Sequence, residues 1–266
     1  VPAPSLPPGS FPTVTAVFTL VTSPPITVSQ DLNGWVAPLL AGTPGATLVS
    51  SGLFVLQSPL YSTQGHIAAS GAGYTRYWAA YAFPGPTELN LSGQWTVGPI
   101  AGAVPLVELF SFVRKVFAVA GTSGYVVNLS HQRLAPLSQF NGAWTSQVRP
   151  VSDLKINDQD ARTPLTGTGT RPRLSWDETG TTGATAYEVR VFWVRQGAAG
   201  AEALPLSRTV LTGRSLTLPE GVLRAGQVYA VELTAMVGQD AWDPARLIPR
   251  LADVEVAESI FGLHTP

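Results

Sequence analysis

Alternation of apolar and polar residues defines the clearest element of this chain, residues 223–235 (LRAGQVYAVELTA). The apolar face of this stretch consists of Tyr229, Val231, Leu233 and Ala235. A period of two predicts a half-buried antiparallel β-strand, which the chain enters through a turn around Gly226. The C-terminal half is therefore predicted to be all-β.

Short strand-like segments bounded by Gly, Pro, Asn and Ser also fill the first half of the chain. We predict strands at residues 13–22, 26–30, 35–40, 46–57, 65–69, 73–83 and 88–97. Turns at this regular spacing indicate a sandwich or a barrel.

Residues 104–120 (VPLVELFSFVRKVFAVA) are ambiguous between a helix and strands. One face of a helix would fit Leu106, Leu109, Phe110, Val113, Val116 and Phe117. The β-branched and aromatic content of the same residues favours two buried strands instead. We prefer the strands, although periodicity alone does not separate the two interpretations of a short apolar run.

The composition limits which functions the chain can have. Charged residues make up 12% of it, which is about half the usual share, and the formal net charge is −1. A protein without a basic face lacks the electrostatic requirement for nucleic-acid binding. With no cysteine, the chain can form neither a disulfide nor a thiolate metal site.

The charges are unevenly distributed, and this predicts two domains. The first 150 residues carry eight charged side chains, whereas the remaining 116 carry 25. We place a domain boundary near residues 144–150 on this basis. The predicted division is a proline-rich tether at 1–12, a low-charge sandwich or barrel-like domain at 13–146, and a second domain at 147–266.

The start of the sequence (VPAPSLPPG) has the composition of a semi-rigid polyproline tether. We expect it to follow a processed leader and consider a lipid anchor at that point. No apolar run of 18 residues or more predicts a transmembrane helix. The absence of cysteine also fits an extracytoplasmic protein, so we predict a periplasmic, outer-membrane-anchored or cell-surface location.

The second half resembles the fibronectin type III domain over about residues 148–266. Residues 172–176 (PRLSW) resemble the second strand of that family with its core tryptophan, Trp176, and residues 187–193 resemble the third strand. Leu223, Gly226 and Tyr229 resemble the tyrosine corner of the family, in which a tyrosine hydroxyl bonds to nearby backbone.

The resemblance implies a seven-stranded sandwich that serves as a spacer or a binding module without catalysis. Trp176, Tyr187, Leu223, Gly226 and Tyr229 would be its structural residues. The chain departs from the family in two places. We expect residues 196–204 (QGAAGAEAL) to form a flexible hairpin connection, and residues 237–253 to form a long loop that carries Trp242.

Candidate catalytic residues are few. The three histidines, His66, His131 and His264, are far apart in sequence and form no recognised metal-binding spacing. Ser130 adjoins His131, but neighbours along a strand point to opposite faces. We predict that the protein is not an enzyme and has no cofactor. The alternative is a carboxylate-only enzyme in the first half.

A group of oxygen-bearing side chains suggests calcium as the one metal to consider. The residues are Asp153, Asn157, Asp158 and Asp160. Calcium prefers six to eight oxygen ligands from a compact loop, and this group lacks the glycine and terminal glutamate of an EF-hand. A solvated acidic turn is the competing interpretation.

Two aromatic groups are candidate binding residues. Tyr74 and Trp78 share one face of a predicted strand with Arg76 and could stack on sugar rings, although burial in a core is the favoured interpretation of such large aromatics. Trp242, Arg246 and Asp240 lie on the loop 237–253, where a tryptophan and an arginine can anchor a partner.

Together these observations predict an all-β chain of two β-sandwich domains in tandem, the second similar to fibronectin type III. The expected function is a non-catalytic structural or interaction role in the cell envelope or outside the cell. Its partners would be other surface proteins or further copies of the chain, bound through the low-charge first domain. The alternative function is a carbohydrate-binding or accessory module of a larger secreted enzyme.

Overall fold

The computed structural model describes residues 26–58, 75–82, 90–95, 104–121, 123–177, 183–198, 200–238 and 254–266. This part of the chain is mostly β, with one short α-helix, and nearly all of its strand pairs are antiparallel. The predicted all-β class is confirmed at this level. No helix among these residues combines the length and apolarity needed to cross a membrane.

The first half contributes six of the strands and the helix. Its elements are β1 (Ile26–Asp31), α1 (Asn33–Gly42), β2 (Thr47–Ser58), β3 (Thr75–Ala82), β4 (Asn90–Trp95), β5 (Val104–Phe117) and β6 (Tyr125–Pro136). A single 3₁₀ turn, Leu137–Gln139, follows β6. The segments predicted at 13–22 and 65–69 lie outside the described residues.

The second half contributes ten strands, several of them short. They are β7 (Ser152–Ile156), β8 (Gln159–Asp160), β9 (Leu165–Thr166), β10 (Arg173–Asp177), β11 (Ala186–Gly197), β12 (Gly200–Leu211), β13 (Ser215–Thr217), β14 (Val228–Val237), β15 (Val254–Ile260) and β16 (His264–Thr265).

One large sheet contains strands from both halves. Its order is β12-β11-β14-β15-β6-β5-β2-β3, with β16 paired to β14 and the short β9 paired in parallel to β16. A second sheet has the order β13-β10-β7-β8, and β1 pairs with β4. The pairing of β15 with β6, Val254 opposite Leu134 and Ala257 opposite His131, crosses the predicted domain boundary. The division into two sandwich domains therefore stays a prediction.

The ambiguous residues 104–120 form strand rather than helix. They build one continuous strand, β5, where two were expected, and it pairs with β2 on one side and β6 on the other. Leu106, Val107, Leu109 and Val113 are fully buried. Successive residues are buried along part of β5 because both faces of the sheet are covered there, and this hides the period of two.

The strand predicted at residues 35–40 is wrong, because these residues belong to α1. The buried side chains of this region, Leu32, Trp35, Val36 and Leu39, follow the spacing i, i+3, i+4, i+7 of a helical face. The carboxylate of Asp31 accepts the backbone N–H of Asn33 at 2.8 Å and so satisfies a donor at the helix start. The helix packs on β2, β5, β6 and β15.

The flexible connection predicted at residues 196–204 is also corrected. Strand β11 continues to Gly197 and β12 begins at Gly200, with Gln196 opposite Ala201 and Arg195 opposite Glu202. Gly200 has a φ of 134°, which side-chain-bearing residues rarely adopt. The small residues of this segment therefore permit a tight hairpin rather than a loop.

The second sheet and the C-terminal part of the large sheet share one hydrophobic core. Trp176 of β10 and Tyr187 of β11 meet edge to face with ring centroids 5.3 Å apart, and both side chains are buried. Leu223 and Tyr229 belong to the same core. The family resemblance itself stays a prediction.

The hydroxyl of Tyr229 ties the turn before β14 to the strand. It accepts the backbone N–H of Arg224 at 2.7 Å and lies 3.0 Å from Oε1 of Gln227. Gly226 has a φ of 76°, which places this turn in the left-handed region that glycine tolerates. This arrangement accounts for the Leu223, Gly226 and Tyr229 spacing in the sequence.

Removing this hydroxyl should destabilise the protein. We expect Tyr229→Phe to lower the free energy of unfolding by about 1–3 kcal/mol, because the Arg224 N–H loses its acceptor. Equilibrium urea unfolding provides the measurement. Gln227→Ala is the matched control, since it keeps the bond to Arg224, and a loss as large as that of Tyr229→Phe would contradict the assignment.

His264 is a buried imidazole with no hydrogen-bond partner for either ring nitrogen among the described residues. It lies in β16 with its ring 5.8 Å from that of Tyr229. Burial lowers the pKa of His264 from 6.5 to about 4, because the charged form loses its hydration. The unfolded chain therefore binds this proton more tightly than the folded chain does.

The stability of the protein should consequently fall as the pH drops from 6.5 towards 4. The contribution of His264 is complete above its unfolded pKa, and up to about 3 kcal/mol is lost by the time the folded group is protonated. Comparing wild type with His264→Leu and His264→Gln by denaturant unfolding across this range isolates the effect. Equal pH slopes in all three proteins would contradict it.

Candidate functional site

A cleft of about 910 Å³ lies among the described residues. We call it the β1–α1 cleft, because β1 and the first turn of α1 form one wall. Residues 141–149 form the other wall. Its size falls within the range of small-molecule binding sites.

Backbone and amide hydrogen bonds hold the two walls together. The N–H of Ser29 donates to the carbonyl of Gly142 at 2.9 Å. The side chain of Gln30 accepts the N–H of Trp144 at 2.7 Å and donates to the carbonyl of the same residue at 3.0 Å. A Cβ on Gly142 would lie 2.7 Å from the carbonyl oxygen of Thr27, so only glycine allows this approach. The cleft is therefore preorganised.

Two tryptophans form part of the lining. Trp35 of α1 donates its indole N–H to the carbonyl of Trp144 at 3.4 Å. Trp144 in turn packs under the guanidinium of Arg133, which lies 4.6 Å from its ring centroid, and edge to face against Phe140. Both indoles are largely buried, so their orientation is fixed by packing.

The rim of the cleft is polar. The exposed residues Ser29, Asn141 and Thr145 contribute two hydroxyls and an amide, and the charged lining residues are Asp31 and Arg149. One carboxylate and one guanidinium leave this lining without net charge. The arrangement can form hydrogen bonds to a polar ligand and has no excess of either charge.

A fully buried carboxylate, Glu255, lies behind the cleft. It accepts the backbone N–H groups of Gln147 at 3.0 Å and Val148 at 3.1 Å, and the hydroxyl of Ser146 at 2.9 Å. Nε2 of His131 lies 2.9 Å from the same carboxylate, and both side chains are inaccessible to solvent. These donors supply the hydrogen bonds that a buried charge requires.

The contact between Ser146, His131 and Glu255 is not that of a catalytic triad. In a triad the imidazole lies between the hydroxyl and the carboxylate and uses one nitrogen for each. Here the carboxylate of Glu255 lies between the other two groups, and the hydroxyl of Ser146 and the carboxylate of Glu255 both contact the same imidazole nitrogen, Nε2 of His131. The other nitrogen, Nδ1, lies 3.4 Å from the carbonyl of Trp35. The cluster holds structure and does not present a nucleophile to a base.

Ser130 and His131 point to opposite faces of the sheet, as expected for neighbours in a strand. Ser130 donates its hydroxyl to Glu258 at 2.8 Å, whereas His131 faces Trp35 with ring centroids 4.3 Å apart. Arg190 lies on the Ser130 side and pairs with Glu258 at 2.9 Å and Glu232 at 3.0 Å. Burial raises the pKa of Glu232 despite the opposing effect of Arg190.

The candidate calcium residues occupy a turn. Asn157 and Asp158 have φ values of 51° and 65° and connect β7 to β8. Asn157 Oδ1 accepts the N–H of Arg173 at 2.8 Å. Asp153 pairs with Lys155, and hydrogen bonds from Arg162 lower the pKa of Asp160 to about 2. Within the described residues no group of three or more His, Asp or Glu side chains is placed to hold a metal ion, so calcium stays a prediction without a formed site.

The aromatic binding candidates are not described at the level of side chains. Trp78 belongs to β3, of which only the backbone is described, and Tyr74 lies outside the described residues. Trp242, Arg246 and Asp240 also lie outside them. Their binding roles stay predictions.

Sequence reasoning did not single out the residues of the cleft. Gln30, Trp144 and Glu255 are separated by more than 100 positions from some of their partners, so no local pattern joins them. The one sequence feature that pointed to this region was the predicted domain boundary at residues 144–150, which follows the turn residues Asn141-Gly142.

Comparison with protein-family models finds no match, and no curated protein matches the chain significantly.

Glu255 should contribute more to stability than its neighbour in β15, Glu258. We expect Glu255→Gln to lower the free energy of unfolding by about 3 kcal/mol, because the amide places N–H groups against donors in a buried site. Glu258→Gln is the matched control on the opposite face, where the side chain is 19% exposed. Equal losses in chemical unfolding would contradict the assigned role of Glu255.

Proposed function

We propose that the protein is a non-catalytic structural or interaction protein of the cell envelope or the extracellular space. The low charge of the first half and the absence of cysteine support this location. Within such a protein, the function is to join a surface assembly, either with other proteins or with further copies of the same chain.

The observation that carries this proposal is an exposed apolar pair on β5 and β6. Val116 and Val126 lie directly opposite each other, and their side chains are 53% and 48% exposed. A single exposed hydrophobic residue needs no explanation, but contiguous ones mark interaction sites. The pair lies in the half of the chain that carries few charges, and Arg114 is a charged group on the same surface.

The neighbouring polar groups provide a rim. Arg114 donates to the side chain of Asn128 at 3.2 Å on the same surface of the β5–β6 hairpin. Apolar contacts surrounded by polar groups are typical of interfaces between proteins. The predicted fibronectin type III-like fold of residues 147–266 fits the same role, as a spacer or a second binding face.

Charging the apolar pair should abolish association. We expect the double variant Val116→Lys with Val126→Lys to reduce self-association in light scattering, or capture of envelope proteins in affinity purification from native membranes, by at least about ten-fold. Leu206→Lys is the matched control, because Leu206 is 42% exposed but lies alone on β12. The proposal fails if the wild-type protein is monomeric and captures no partner, or if both variants behave alike.

The second candidate function is the carbohydrate-binding or accessory module. The observation that favours it is the β1–α1 cleft, whose lining combines indole rings with hydroxyl, amide and carboxylate groups. This candidate does not require the surface around Val116 and Val126, so the two functions are tested separately.

A further inference from the structure

We propose that the β1–α1 cleft binds a neutral carbohydrate, with Asn141 and Thr145 as its hydrogen-bonding residues. The inference rests on the second candidate function and gives it a site. It is independent of association through Val116 and Val126.

The cleft has the size and rigidity that a binding site needs. Its volume of about 910 Å³ accommodates a short oligosaccharide. Gln30 links its walls through both ends of its amide, and Gly142 allows the close approach of β1. A ligand would therefore meet a preorganised surface and would not have to order the walls on binding.

The polar groups of the rim match hydroxyl-rich ligands. Carbohydrate hydroxyls both donate and accept hydrogen bonds, so they pair well with amides and hydroxyls. The side chains of Asn141, Thr145 and Ser29 have no hydrogen-bond partner in the described part of the chain, and each is exposed at the cleft. These three groups can exchange water for ligand without breaking a bond within the protein.

The charges of the cleft favour a neutral ligand over an ionic one. Asp31 and Arg149 are the charged lining residues, and they balance each other. Asp31 already uses Oδ1 to accept the N–H of Asn33, which leaves Oδ2 for a ligand hydroxyl. An acidic or basic ligand would meet a group of like charge as well as its counterion.

The tryptophans contribute apolar lining at fixed positions. Trp144 is held between Arg133 and Phe140, and Trp35 is held by His131 and by its bond to the Trp144 carbonyl. The two side chains are only 1% and 7% exposed, so they form a fixed floor and a sugar would be held mainly through the polar rim. Because the same tryptophans hold the cleft together, the test must alter the rim instead of the indoles.

The experiment uses the full chain with maltotriose, cellotriose, xylotriose and tri-N-acetylchitotriose as neutral carbohydrate probes. A blocked tripeptide, N-acetyl-trialanine amide, represents an uncharged peptide. Calorimetry measures affinity, and intrinsic tryptophan fluorescence, to which all seven tryptophans of the chain contribute, provides an independent binding signal. We expect saturable binding of at least one trisaccharide with a change in fluorescence, and no binding of the tripeptide.

Asn141→Ala and Thr145→Ala should each weaken binding by about five-fold, the effect of one lost hydrogen bond. Ser138→Ala is the matched control, because Ser138 is exposed on the nearby 3₁₀ turn but outside the cleft. Thermal unfolding of each variant verifies that the fold is intact.

The outcomes separate the site from the ligand and from the proposed association. Absence of binding to every trisaccharide would overturn the proposal, and binding of the tripeptide alone would overturn the ligand class. Sugar binding that survives both rim variants would overturn the site. Light scattering of the same variants should show unchanged association, which keeps a failure here distinct from a failure of the interface at Val116 and Val126.

Discussion

The burial of the Glu255 carboxylate is the constraint on which the architecture depends. A carboxylate with no access to water is unfavourable unless donors surround it, and here the donors come from β6 and from residues 146–148. All of them lie more than 100 positions earlier in the chain. Strand β15 can therefore take its place beside β6 only when the segment after β6 is also in position.

This dependence couples the large sheet to the β1–α1 cleft. Residues 144–149 supply donors to Glu255 on one side and lining to the cleft on the other. Gln30 then fixes β1 to the same segment through Trp144. The cleft therefore lies where the segment after β6 meets both β1 and the buried Glu255 cluster.

The sequence predicts elements whose information is local and fails where the information is distant. The alternation at β14 and the Leu223, Gly226 and Tyr229 spacing are local, and the structure has the strand and the hydroxyl bond. The expected half-burial of β14 is wrong, because both of its faces are covered and Glu232 and Thr234 are buried as well. The segment at 35–40 is an exception, since its helical spacing is local but begins at Leu32, before the predicted strand.

The difference between local and distant information also explains why the acidic group at residues 153–160 was noticed in the sequence and the cleft was not. Asn157 and Asp158 are local turn residues, since their side chains tolerate the left-handed backbone, and this accounts for a group that resembled a metal site. The pairing of Glu255 with His131, by contrast, depends on the register of β15 against β6. No residue spacing within the chain encodes that register, so the sequence did not predict the cleft that lies next to Glu255.

The uneven distribution of charge also has a structural explanation. In the second half, Arg190 joins Glu188, Glu232 and Glu258 across neighbouring strands, and Arg208 of the edge strand β12 pairs with Glu188 at 2.6 Å. Charges on an edge strand and its neighbours oppose pairing with another chain, as does the bulge beside Pro205. Within the described residues, β12 is therefore a protected edge of the large sheet, with no further strand paired to it.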